Sequence, residues 1–130
     1  MASVVWSTTV DCAEPYALCR WWSAVLDYAA HPEYPNSPED EECRIQSADG
    51  RHAILFIRVP EAKSVKNRVH FDLRPADRSR DEEVARVLES GATLVNDLRT
   101  PDGKGWVVLA DPEGNEFCIL RSDAELAANP

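Results

Sequence analysis

Positive charge is what this chain is short of: 14 Lys and Arg stand against 23 Asp and Glu, a net charge of −9. That balance excludes a nucleic-acid surface or an anionic membrane as the main partner, since both need a basic face. It leaves small ligands open, because one local cation is enough to meet an anion. No apolar run approaches the roughly 20 residues of a membrane-spanning helix. The start, Met1-Ala2-Ser3-Val4-Val5-Trp6, lacks the charged lead and long apolar stretch of a secretory signal, so a cytoplasmic protein is expected. The four cysteines, Cys12, Cys19, Cys43 and Cys118, contain no C-x-x-C pair and no finger-like spacing. Three of them sit in apolar segments and read as small buried hydrophobes. Cys12 stands just ahead of a helix start, where a thiol can gain reactivity, but no His or Lys is near it in sequence and it too reads as inert.

What is present is enough for one domain: 130 residues, 44% hydrophobic. Val4 to Val10 is a β-rich run and predicts a first strand. Asp11 to Pro15 opens a helix, with Pro in the first turn, that continues through Leu18, Trp21, Trp22, Val25 and Leu26 on one apolar face. Residues 28–42 hold three prolines and five acidic residues and predict an irregular, mobile connection with at most a short strand. Strands are expected at Cys43 to Ser47 and Ala53 to Val59, and Pro60 to Lys66 reads as a linker. Arg68 to Leu73 alternates as a strand, with Val69, Phe71 and Leu73 on one side and His70, Asp72 and Arg74 on the other. A helix follows from about Ser79 to Ser90, with Val84, Val87 and Leu88 inward and Gly91 as its stop. Thr93 to Leu98, Trp106 to Ala110 and Glu116 to Leu120 are the last strands, joined by Thr100 to Gly105 and by the turn Asp111-Pro112-Glu113-Gly114-Asn115. Ser122 to Pro130 is an alanine-rich tail expected to fray.

The two halves read as one repeat offset by 63 residues, Ser7 falling on His70 and Glu14 on Asp77. His70 standing seven residues before Asp77, followed by Asp-Pro-Glu-Gly-Asn-Glu-Phe at 111–117, resembles the vicinal-oxygen-chelate superfamily of glyoxalase I, extradiol dioxygenases and bleomycin-resistance proteins. The resemblance covers Val4 to Arg121. It implies an α+β domain spanning residues 1–130, with two paired βαβββ modules forming a curved mixed sheet around a cavity and helices outside. Module one is about 3–59, the linker 60–66, module two about 67–121 and the tail 122–130. It also implies a homodimer.

That family takes one metal ligand from each of four strands, two per module. His70 and Glu116 match the second-module positions. Ser7 and Ile54, or Ala53 or Leu55 if the register slips, stand at the first-module positions, and none is a useful ligand. The expectation is therefore a small-molecule-binding protein with a degraded metal site and no cofactor. Its cavity would be lined by Ser7, Thr9, Asp72, Arg74 and Trp106, and His70 and Glu116 would be the pair for metal-free acid/base chemistry. One alternative is a divalent ion on His70 and Glu116, with Asp72 as third donor, serving a lyase, isomerase or dioxygenase. The other is a non-catalytic dimeric sequestration module. His31 and His52 read as solvated surface histidines, and Arg58 as a strand-edge cation able to meet an anion.

Overall fold

The computed structural model describes Ala2–Pro130. Its elements run β1 (Thr8–Cys12), α1 (Pro15–Leu26), β2 (Glu42–Gln46), β3 (Ala53–Arg58), β4 (Asp72–Leu73), α2 (Arg80–Glu89), β5 (Thr93–Asp97), β6 (Val107–Ala110), β7 (Glu116–Ile119) and α3 (Asp123–Ala128). The chain divides into two compact units, residues 1–63 and 64–130. The fold is α+β with two mixed sheets, neither closed into a barrel. No helix among the described residues is long and apolar enough to cross a membrane.

In the first unit the sheet order is β1-β3-β2, with β1 parallel and β2 antiparallel to β3. The central strand Ala-Ile-Leu-Phe-Ile-Arg buries Ala53, Ile54 and Phe56. A strand with neighbours on both edges needs such a continuous apolar run. Helix α1 covers this sheet through Leu18, Cys19, Trp22 and Val25. Trp22 takes the inward position, and Trp21 meets it edge-on at 5.1 Å between ring centroids. The strand expected from Val4 starts only at Thr8, and Trp6 is 68% exposed. β-Branched composition favours a strand, but the ladder lasts only as long as its partner. Thr8 pairs with Ile54, one residue inside the start of β3, so Val4 to Trp6 have no strand to join. Residues 28–42 are irregular, as composition demands, yet pinned. Asn36 both donates to the Arg44 carbonyl (2.8 Å) and accepts its amide (3.0 Å), and Ala29 and Gln46 form an isolated bridge.

In the second unit the order is β4-β7-β6-β5, with β4 parallel to β7 and the rest antiparallel. Helix α2 opens on a full capping box: the Ser79 hydroxyl accepts from the Glu82 amide, and the Glu82 carboxylate accepts from the Ser79 amide. Val84 and Val87 face the core, but Leu88, expected inward, is partly exposed at the helix end. The strand expected from Arg68 shrinks to Asp72–Leu73, and Val69 is 84% exposed. Its place beside the start of β7 is taken by a side chain, since the Glu116 amide donates to Asn67 Oδ1 at 3.2 Å. The tail forms a capped helix, α3. Ser122 and Glu125 form a second capping box, and Glu125 also accepts the Arg80 amide at 2.8 Å.

All four cysteines are free and buried. Burial first, then the neighbouring Cys43 and Cys12, pushes the Cys19 thiol up to about 12, and burial likewise raises Cys43. Only the thiolate alkylates. Iodoacetamide at pH 8 is therefore expected to spare Cys19 and Cys43 in the native protein and label both after urea unfolding. Mass-spectrometric mapping that finds either labelled in the native state would contradict this packing.

Candidate functional site

The two ladders superimpose the halves of the repeat. Asp72 pairs with Cys118 and Leu73 with Ile119, while Thr9 pairs with Leu55 and Val10 with Phe56, so both strands keep the same 63-residue offset. This register makes Ala53 the counterpart of Glu116, resolving the choice between Ala53, Ile54 and Leu55.

β7 presents Glu116 and Cys118 to one face, because strand side chains alternate. On that face the second unit holds a cavity of about 480 Å³. Its polar side is Lys66, His70, Asp72, Asn96, Glu116 and Cys118, and its apolar side is Leu98, Trp106, Val108 and Leu120. The hairpin of β5 and β6 supplies the apolar side. Asn96 and Leu98 both line it, after a register shift between Leu94 and Asn96.

His70 Nδ1 lies 3.2 Å from Asp72 Oδ1 and 3.9 Å from Cys118 Sγ. Glu116 is oriented differently: its carboxylate accepts from Lys66 Nζ at 3.0 Å and from the Asn67 amide at 3.1 Å. That carboxylate is largely buried, and its cation and amide partners compensate for its desolvation. Burial, followed by the nearby Asp72 charge, raises the Cys118 thiol above its ordinary range. A His–carboxylate pair open to a cavity can take a proton from a bound molecule or return one.

Of the expected site residues, His70, Asp72, Glu116 and Trp106 line this one cavity. Arg74 does not. It lies beyond the end of β4, pairs with Asp123 at 3.6 Å and donates to the Arg121 carbonyl, lining a separate groove with Ser79 and Glu125. Ser7 and Thr9 belong to the first unit, Ser7 just ahead of β1 and Thr9 on an exposed position within it. Arg58 is committed to Glu41 (3.2 Å), Glu14 (3.7 Å) and the Ala13 carbonyl. His52 is no solvated histidine: its ring nitrogens meet the Tyr28 hydroxyl at 2.8 Å and Thr8 Oγ1 at 3.2 Å. Cys118 is the residue that sequence reasoning missed. Its parity with Glu116 on β7 was the available signal, overridden by the habit of treating cysteine in an apolar strand as filler.

At the positions that the resemblance assigns to a four-strand metal centre, the first module carries Ser7 and Ala53, and the Glu116 carboxylate accepts from Lys66 and the Asn67 amide.

A duplicated β–α–β unit with a cavity on the sheet of its second copy defines a paired-module α+β protein. The family model described as "Glyoxalase-like domain" matches residues 7–120, and the chain belongs to that family. Solved structures agree on the fold. The fosfomycin resistance protein FosX from Listeria monocytogenes superposes with a TM-score of 0.69 at 12% identity, covering 100% of each chain. A glyoxalase/bleomycin resistance protein/dioxygenase family enzyme from Burkholderia phytofirmans gives 0.65 at 21% identity, covering 88% of this chain and 94% of its own. Lactoylglutathione lyase from Agrobacterium tumefaciens gives 0.62 at 17% identity, covering 96% of each. No curated protein matches the sequence significantly.

Proposed function

We propose that this chain is a glyoxalase-like small-molecule-binding protein that works without the family's four-ligand metal centre and binds its ligand in the cavity of the second unit. The observation that carries this reading is the pairing, in about 480 Å³, of an apolar wall built on Trp106 with a polar floor of His70, Asp72 and Glu116. Pockets of this size, mostly apolar with a few placed polar groups, are the usual seats of small ligands. Two carboxylates against one lysine favour a ligand with an apolar ring and hydrogen-bond donors over a strongly anionic one. His70 then stands where it can exchange a proton with such a donor. The four free thiols support a reducing, cytoplasmic setting.

The test is fragment screening by NMR with a panel of phenols and aromatic amines on isotope-labelled, metal-free protein. Hits are expected to perturb the Trp106 indole and the amides of Leu98 and Cys118, and Trp106→Ala should weaken them about tenfold. Absence of hits at these residues across the panel would overturn the reading in favour of a module that acts through its surface alone.

Assembly as a homodimer belongs to the same proposal. β5 is an edge strand exposed at every position, with Leu94 and Val95 each about half exposed. Such an edge invites cover by a second copy. Sedimentation equilibrium at micromolar concentration is expected to give twice the 14.5 kDa chain mass. A monomer mass there would remove the dimer.

A further inference from the structure

We propose that His70, Asp72 and Cys118 together bind one thiophilic divalent ion of the zinc class, in a site contained within the second unit that shares only His70 with the family's four-strand centre and replaces its other ligands. One donor atom from each residue lies within 4.8 Å of the other two. Around a tetrahedral zinc, with bond lengths of about 2.0–2.3 Å, a nitrogen and an oxygen donor stand ~3.3 Å apart and a nitrogen and a sulfur ~3.6 Å apart. The corresponding separations here are 3.2 Å and 3.9 Å, with Asp72 and Cys118 within 4.8 Å of each other, so the His70 donor stands near the spacing that a shared ion needs from both partners.

The donor set is chemically coherent. A thiolate, an imidazole and a carboxylate are the borderline-soft mixture that selects zinc-like ions over magnesium or calcium. Three protein ligands with a fourth position open is the arrangement of ions that act on bound molecules, whereas structural zinc is closed by four. All three donors line the same cavity as Trp106 and Leu98. An exposed His70–Asp72 ion pair alone would contribute little and would not require a thiol behind it. The architecture also explains how the family's first-module ligands can be absent: all three donors come from β4, its approach and β7, which pair directly.

The inference deepens the cavity reading only in giving the ligand an ion to meet; ion binding itself does not depend on that reading. The experiment is titration of reduced, chelator-treated protein with Co²⁺, read by absorbance. One equivalent is expected to produce a thiolate-to-cobalt charge-transfer band in the near ultraviolet, displaced by equimolar Zn²⁺. Cys118→Ser should abolish the band, and Asp72→Asn, at a half-exposed position that tolerates the change, should weaken binding at least tenfold. Cys43→Ser, in the other unit, should leave the titration unchanged. No band in the wild type, a band that survives Cys118→Ser, or equal affinity in Asp72→Asn would each overturn the site. Fragment hits on the metal-free protein without a cobalt band would leave the cavity reading standing and the ion site refuted, and a band without hits would do the reverse.

Discussion

Gly105→Ala is expected to cost roughly 2–5 kcal/mol, adding the strain of a left-handed alanine to that of forced overpacking. Gly105 has φ +87, and a Cβ there would overlap the Leu98 carbonyl oxygen and crowd the Arg99 Cα, both of them backbone. Neither side can give way. The Leu98 amide donates to the Trp106 carbonyl at 2.9 Å, closing the β5–β6 hairpin. From beneath, the buried Arg80 guanidinium donates from Nη1 to the Lys104 and Gly105 carbonyls at 2.9 and 3.0 Å. Gly103 makes the comparison: φ is +86, but its Cβ would meet only the Asn129 side-chain amide at 3.4 Å. Gly103→Ala should therefore cost about 1–2 kcal/mol, from backbone strain alone. Urea unfolding followed by circular dichroism separates the two. Equal midpoints for both variants would mean the loop relaxes freely, and the packing argument would fail. Since this hairpin carries Asn96, Leu98, Trp106 and Val108 to the cavity, Gly105→Ala should also erase fragment binding at Trp106.

Local signals carried much of the architecture, and the misses have a common cause. Helix α2 was marked by Ser79 and Gly91, the β6–β7 turn by Pro112 and Gly114, and β3 by its unbroken apolar run. Alternation read from the sequence put His70, Asp72 and Glu116 on one face, and all three line the cavity, although His70 stands ahead of β4. Arg74 was assigned to that face by the same parity, but β4 ends at Leu73, and alternation says nothing about a side chain beyond the strand. Val4 to Trp6 are as β-rich as any strand here, yet a strand exists only where a partner runs alongside it, and beside the start of β7 the Asn67 side chain takes the place of Arg68 to His70. Partner length is a tertiary fact. Arg80 sits in a run of charges that reads as a solvated helix start, and its burial depends on carbonyls more than twenty residues away. The capping box Ser122-Asp123-Ala124-Glu125, by contrast, was present in the sequence, and composition alone mistook it for a fraying tail.

Asp111→Ala is expected to destabilise the protein by roughly 2–4 kcal/mol, the range for stranding several partners of a buried charged acceptor. Asp111 is 3% exposed. Its Oδ1 accepts the Glu113 amide at 2.9 Å and the Asn115 amide at 3.0 Å, and Oδ2 accepts the Asn115 side-chain amide at 2.9 Å. The backbone closes the same turn, with the Asp111 amide donating to the Asn115 carbonyl at 2.8 Å and Gly114, at φ +89, donating back to the Asp111 carbonyl. Alanine would leave those donors facing a small void. The motif that carries the family resemblance thus acts here as a brace: it sets where β7 begins, and so which face receives Glu116 and Cys118. Asp111→Asn keeps one carbonyl oxygen for the two backbone amides while setting a second NH₂ against the Asn115 amide. It should recover about half of the loss. The measurement is the urea midpoint of the three proteins, with the amide shifts of Glu116 and Cys118 as a readout of β7 placement. A variant Asp111→Ala as stable as wild type, or Asp111→Asn no better than alanine, would show that the carboxylate does not hold the turn.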